Sequence, residues 1–142
     1  NAEASESTIK QAVDIDAIAN FTLGKYSHRV SDEDKTRFKS AFEKFLVGTF
    51  QDQKNKLKNA QVDVIGSVDR NDKDSVVETR VTQKGEDSQT VRWRVIERNG
   101  EWRVVDVEVL GLWLAIEQRA QIAAILDKPR ATIDDAIAAL NS

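Results

Sequence analysis

The chain offers little that could do covalent chemistry: one histidine and no cysteine among 142 residues. His28 stands in the run Lys25-Tyr26-Ser27-His28-Arg29, where a lone imidazole has neither a second histidine nor a thiolate with which to hold zinc. A general base needs an orienting partner, and none is specified nearby, so His28 reads as a surface or loop-anchoring side chain. Asp106 and Glu108, two apart on an expected strand, are candidates for an acid pair, but Arg94 and Arg92 on the preceding strand are placed to neutralise them. Asp14 and Asp16 read as helix-capping residues, without the oxygen-rich spacing of a calcium loop. Glycine-rich phosphate cradles, nucleophile elbows and paired metal-binding histidines are absent. No catalytic residue, metal ligand or cofactor is therefore assigned. The lack of cysteine excludes disulfides and thiol nucleophiles outright.

Charge narrows the field further. The 21 basic and 24 acidic side chains leave a net charge of −3, which gives no footprint for nucleic acid or an anionic headgroup surface. With 40% hydrophobic and 32% charged residues, a folded core in one domain over residues 1–142 is expected; chains of this size bury roughly 70% of their unfolded surface. No apolar run approaches the roughly 18 residues needed to cross a bilayer. Methionine is missing altogether, so the chain is expected to be a processed or truncated product. Its small polar opening, Asn1-Ala2-Glu3-Ala4-Ser5-Glu6-Ser7, fits a cleaved export signal.

The apolar residues fall into two periods. From Asp14 to Gly24, Ile15, Ile18, Ala19 and Leu23 repeat at helical spacing behind an aspartate cap and ahead of a glycine stop. Ser31 then caps a long helix with Asp32, Glu33 and Asp34 in its first turn. Phe38, Phe42, Phe45 and Thr49 form one row on it, widened by Leu46 and Phe50. After Lys58 the period becomes two: Val62 and Val64, then Val77, Thr79 and Val81, alternate with charged residues between the turn-rich runs 69–74 and 84–87. A third strand from Gln89 to Arg98 and a fourth from Trp102 to Val109 are joined through Asn99-Gly100.

A three-residue loop, Asn99-Gly100-Glu101, is expected in that hairpin. It pairs Arg94 with Asp106, Arg92 with Glu108, Trp93 with Val107 and Val95 with Val105, whereas a two-residue turn would set Arg94 opposite Val105. One face then carries Val91, Trp93, Val95, Val105, Val107 and Val109, and the other carries matched charges, Glu78 among them. Helical spacing returns past Gly111 through Leu112, Leu114, Ala115, Ile116, Ile122, Ala123 and Ile125 until Pro129 stops it. Thr132 caps a last helix with Ile133, Ile137 and Leu140 on its inner face. The expected fold is α+β: a four-stranded antiparallel meander packed by a long helix and several shorter ones.

The valine face with Trp93 confronts the aromatic row of Phe38, Phe42 and Phe45, and Leu112, Trp113 and Ile116 arrive where the last strand meets a helix. These side chains form either a plain core or the lining of an apolar pocket, and periodicity does not separate the two. Two further readings stay open. One is an enzyme on a cone-shaped scaffold of the nuclear-transport-factor type, which needs a carboxylate inside the pocket where this register places none. The other is an interaction module that carries nothing.

Several stretches, taken in order, resemble the MlaC or toluene-tolerance family. They are Asp16-Ala17-Ile18-Ala19-Asn20-Phe21-Thr22-Leu23-Gly24-Lys25-Tyr26, Phe38 with the Phe42 to Phe50 run, Trp102-Arg103-Val104-Val105-Asp106-Val107-Glu108-Val109-Leu110-Gly111, and Gln118-Arg119. The resemblance implies a periplasmic carrier that holds phospholipid acyl chains in an apolar pocket between sheet and helices, with no cofactor and no catalysis. Its implied partners are an outer-membrane lipoprotein complex and an inner-membrane ABC transporter with an MCE-type protein, between which it shuttles lipid to maintain outer-membrane lipid asymmetry; a hopanoid or another terpenoid would suit the same lining. The lipid is then expected against Phe21, Leu23, Phe38, Phe42, Phe45, Leu46, Val64, Val81, Trp93, Val95, Val105, Val107, Val109, Leu112, Trp113 and Ile116. Trp113 departs from the small polar residue of the family at that place and is expected to narrow or reshape the pocket. Helices that precede the segment matching Asp14 in the family are expected to be missing here.

Overall fold

In the computed structural model, which describes residues 9–54 and 59–141, the helices open where their capping chemistry sits. Helix α1 (Ile15–Leu23) begins at Asp14, whose Oδ1 accepts the Ala17 N–H at 3.1 Å. It ends at Gly24, where φ is +55°. That φ favours glycine, and a side chain there would also have to displace the Arg119 guanidinium, which it would meet at 3.0 Å. A 3₁₀ turn over Gly24–His28 leads to the long helix α2 (Asp32–Lys54). Ser31 caps α2 by accepting the Asp34 N–H at 3.1 Å, and the three acids of its first turn complement the helix dipole. Residues 9–12 form a further helical turn ahead of α1.

The sheet has five strands, not four: β1 (Gln61–Asn71), β2 (Asp74–Thr82), β3 (Gln89–Arg98), β4 (Glu101–Val109) and β5 (Leu112–Trp113), hydrogen-bonded in chain order and all antiparallel. The helical spacing expected from Leu112 begins two residues later. Leu110 and Gly111, at φ +53° and +83°, fold the chain back so that Leu112 pairs with Val109 and Trp113 with Glu108. Helix α3 (Leu114–Leu126) and helix α4 (Ile133–Asn141) follow. Asp135 accepts the Thr132 N–H at 2.8 Å where α4 starts. The first two strands are also longer than their valines suggest. The polar run 69–74 is largely strand, with a tight turn at Asp72-Lys73 in which Asn71 Oδ1 accepts the Lys73 N–H at 2.8 Å.

The β3–β4 hairpin has a two-residue turn. Arg98 faces Glu101, and Asn99 and Gly100 both take positive φ, +54° and +79°, the signature of the tight turn that matches strand twist. The charge pairing expected from a longer loop nevertheless holds, because a β-bulge between Arg94 and Val95 takes up one residue of β4. Arg94 still faces Asp106, Arg92 faces Glu108 and Trp93 faces Val107, while Val95 faces Val104 in place of Val105.

The buried core belongs to the helices. Ile15, Ile18 and Leu23 of α1, Phe38 and Phe42 of α2, Ile122 of α3, and Ile133, Ala136 and Leu140 of α4 form one cluster. Phe38 and Phe42 stack with ring centroids 6.1 Å apart. Among the described strand residues, Val105 packs against this cluster. The bulge that displaces Val105 from its pairing thus also seats it where sheet meets helices.

Candidate functional site

Register divides the sheet into two chemically distinct faces. One carries ion pairs. Arg92 bridges Glu78 at 3.1 Å and Glu108 at 2.5 Å, and Arg94 grips both oxygens of Asp74 at 3.2 and 2.8 Å. The Arg94 guanidinium holds the buried Asp74 carboxyl below the usual carboxylate range. Asp74 escaped the sequence reading because it lay in a run taken for a turn. The longer β2 brings it beside Arg94, which frees Asp106 for another task.

That task is structural. Asp106 is buried, and its Oδ1 accepts the N–H of Val107 at 2.8 Å and of Ala115 at 2.7 Å. Trp113 occupies the N-cap position of α3 and has no side-chain acceptor to offer there. Asp106, nine residues earlier on β4, therefore satisfies an N–H of the first turn in its place. Asp106 Oδ1 is thus taken up by two backbone donors that tie β4 to the start of α3.

The other face is apolar. Val62 and Val64 of β1, Val77 and Val81 of β2, Val91, Trp93 and Val95 of β3, Val107 and Val109 of β4 and Leu112 of β5 share it by register. At its middle the Thr79 hydroxyl donates to the Val91 carbonyl at 2.8 Å and accepts the Trp93 indole N–H at 3.0 Å, while Ser75, Ser67 and Asp69 make one end of this face polar. Val91 is buried yet stands apart from the helical cluster. Trp93, Val95, Val81, Val107 and Val109 are half-buried, Leu112 is exposed, and Val64 is 71% exposed. This wall is not sealed by the core.

The remaining residues singled out by sequence divide between core and surface. Leu23, Phe38 and Phe42 are buried in the helical cluster, the last two at 0% and 2% exposure. Phe21, Phe45, Leu46 and Val105 sit half-buried at its margin. Trp113 is half-buried and Ile116 is exposed. Arg119 packs its guanidinium 4.9 Å from the Phe21 ring centroid, alongside Gly24. His28 is exposed, in keeping with the surface reading. A groove of about 360 Å³ lies elsewhere, between α2 and α4, lined by Arg37, Ser40, Lys44 and Ile137 among others. Among the described residues, no group of three or more His, Asp or Glu side chains is placed to hold a metal. No described helix is long and apolar enough to cross a membrane.

The fold thus sets a helical core beside a sheet with one ion-paired face and one apolar face that the core leaves unsealed. The chain belongs to the MlaC family: the family model described as MlaC protein matches residues 2–142. A solved structure of a phospholipid-binding protein from Ralstonia solanacearum, in complex with a phospholipid, superposes on it with a TM-score of 0.84 at 20% sequence identity, covering 99% of this chain and 80% of that one. No curated protein matches the sequence.

Proposed function

We propose that this protein is a lipid carrier that takes phospholipid acyl chains against the apolar face of its sheet and shuttles them through the periplasm. One observation carries the reading. The valine and Trp93 face lies outside the helical core, and Thr79 and Trp93 at its middle satisfy each other's polar atoms, so hydrocarbon can cover that part without stranding a buried donor or acceptor. The half-buried and exposed residues, Trp93, Val95, Val81, Val107, Val109, Val64 and Leu112, are the ones we assign to the lipid. Phe21, Phe45, Leu46, Val105, Trp113 and Ile116 border it, and Leu23, Phe38 and Phe42 hold the core behind it. Family membership and the phospholipid held by the Ralstonia protein support a binding protein over an enzyme. In the carrier scheme the donor and acceptor are an outer-membrane lipoprotein complex and an inner-membrane ABC transporter bearing an MCE-type protein. The headgroup stays at the open margin, so selectivity rests on the acyl chains.

The test is native mass spectrometry of protein purified from a bacterial host. Wild type is expected to carry phospholipid, and Trp93→Ala to lose most of it while remaining folded. Phe42→Ala, a pure core truncation, is expected to lose about 3–5 kcal/mol of stability with lipid content per folded molecule retained. Clean apo spectra from the wild-type protein would end the proposal.

A further inference from the structure

The sequence from Val109 to Ile116 contains no charged residue, and most of what it contains is bare. Leu110 is 78% exposed, Leu112 and Ile116 52% each and Leu114 46%, with Trp113 half-buried between them. Leu110 is the most telling. It sits at the tip of the β4–β5 turn with φ +53°, a conformation that favours glycine or asparagine over a branched aliphatic side chain. Neither backbone preference nor packing within the fold accounts for leucine there. Single exposed leucines are ordinary, but a contiguous group at one tip marks a contact surface.

The directions of these side chains decide what the surface contacts. Leu112 and Trp113 are consecutive on a strand and point to opposite faces. Leu114 and Ile116 are two apart at the start of α3, roughly 200° around the helix. Leu110 projects from the turn itself. No single flat protein surface can cover groups that radiate around a tip, whereas fluid hydrocarbon surrounds them all. The nearest charges in sequence, Glu108, paired with Arg92, and Glu117, are both acidic, so what adjoins the tip does not favour anionic lipid. We propose that residues 110–116 form a wedge that dips into the interface of a neutral bilayer. Leu112 lies on the same apolar face as Val109 and Val91, so insertion brings the margin of the sheet wall against the acyl chains. The value of this contact to a carrier rests on the reading above; its existence does not.

The experiment is flotation of the full chain with phosphatidylcholine vesicles at low and high salt. Wild type is expected to float with the vesicles and to stay bound in high salt, since the contact is apolar. Leu110→Asp is expected to weaken partitioning by about tenfold or more, the scale of losing one buried leucine. Leu110→Gly paired with Leu114→Gln is expected to weaken it similarly with the fold intact, glycine being suited to the turn and glutamine to the helix. Trp93→Ala is expected to float like wild type, which separates failure of the wedge from failure of the lipid wall. Absence of flotation overturns the proposal. So do flotation unchanged in both Leu110 variants, binding confined to anionic vesicles and reversed by salt, and self-association abolished by Leu110→Asp in place of vesicle binding.

Discussion

Asp106 gives the sharpest test of how this fold positions its apolar wall. Its Oδ1 accepts two backbone N–H groups, from Val107 at 2.8 Å and Ala115 at 2.7 Å, in a site where the residue is only 7% exposed. Asp106→Ala strands both donors. Each buried donor left without a partner costs about 1–3 kcal/mol, so the change should remove roughly 2–5 kcal/mol, a large part of the 5–15 kcal/mol that usually separates folded from unfolded states. Asp106→Asn keeps an acceptor oxygen at the same place and asparagine is itself a good capping residue, so its cost should be about 1 kcal/mol, from the weaker neutral bond. Urea unfolding measures both, and amide hydrogen exchange at Ala115 and in the first turn of α3 should speed up in the alanine variant. Bound lipid per folded molecule should be unchanged in Asp106→Asn, because the carboxylate serves architecture. If Asp106→Ala unfolds within about 0.5 kcal/mol of wild type, the strand-borne cap carries no weight and the reasoning fails. If Asp106→Asn falls as far as Asp106→Ala, the negative charge itself matters and a role beyond capping must be found.

Two further perturbations follow from the same geometry. Arg94 depresses the Asp74 carboxyl, so the ion pair contributes stability that is fully present above the unfolded aspartate value of about 3.9 and is lost as pH falls through the lower folded value. Urea midpoints followed from pH 5 to pH 2 should therefore drop more steeply in wild type than in Asp74→Asn, and parallel slopes would refute it. At Gly24, where φ is +55° and an added Cβ would lie 3.0 Å from Arg119 Nε, Gly24→Ala should cost about 1–2 kcal/mol in thermal or urea unfolding. A neutral result there would mean that Arg119 yields freely.

The helices were legible because their signals are local. Asp14 and Ser31 mark starts by their own side chains, Asp135 reaches back to the Thr132 N–H at the start of α4, and Gly24 and Pro129 stand beyond the last residues of α1 and α3. The charge face of β3 and β4 was legible because Arg92 and Arg94 alternate in step with Asp106 and Glu108, so matching opposite charges across the strands fixes the register. The loop itself was misread for a physical reason: a bulge has no residue signature here, and one residue of slack in β4 lets a two-residue turn give the register expected of three. Asp74 and Asp106 illustrate the same limit, since which acid an arginine takes depends on strand length and on a helix that starts eight residues after Asp106. Leu112 and Trp113 are apolar in either period, so two residues could not announce a fifth strand. The Phe38 and Phe42 row was recognised as inward-facing, but what it faces is set by how four helices assemble.

That assembly explains why the sheet can afford an unsealed face. The helical cluster supplies a core with little need of the strands, so the wall of valines and Trp93 is free to be covered or bare without deciding whether the protein folds. Each methylene withdrawn from water is worth about 0.8 kcal/mol, and a two-chain lipid of about thirty methylenes is held in its bilayer by something near 20 kcal/mol. A carrier must match that with surface that is apolar, dry and continuous. The Thr79 hydroxyl, tied to the Trp93 indole and the Val91 carbonyl, removes a polar interruption beside Trp93. Bare valines at Val62 and Val64 on an edge strand are otherwise a liability, since such strands recruit other chains. On the proposed reading lipid covers them in the folded state alone, and its binding then raises the melting temperature by mass action. Delipidated protein should accordingly melt lower than loaded protein and recover when phospholipid is returned, and equal melting points would show that the wall takes no lipid.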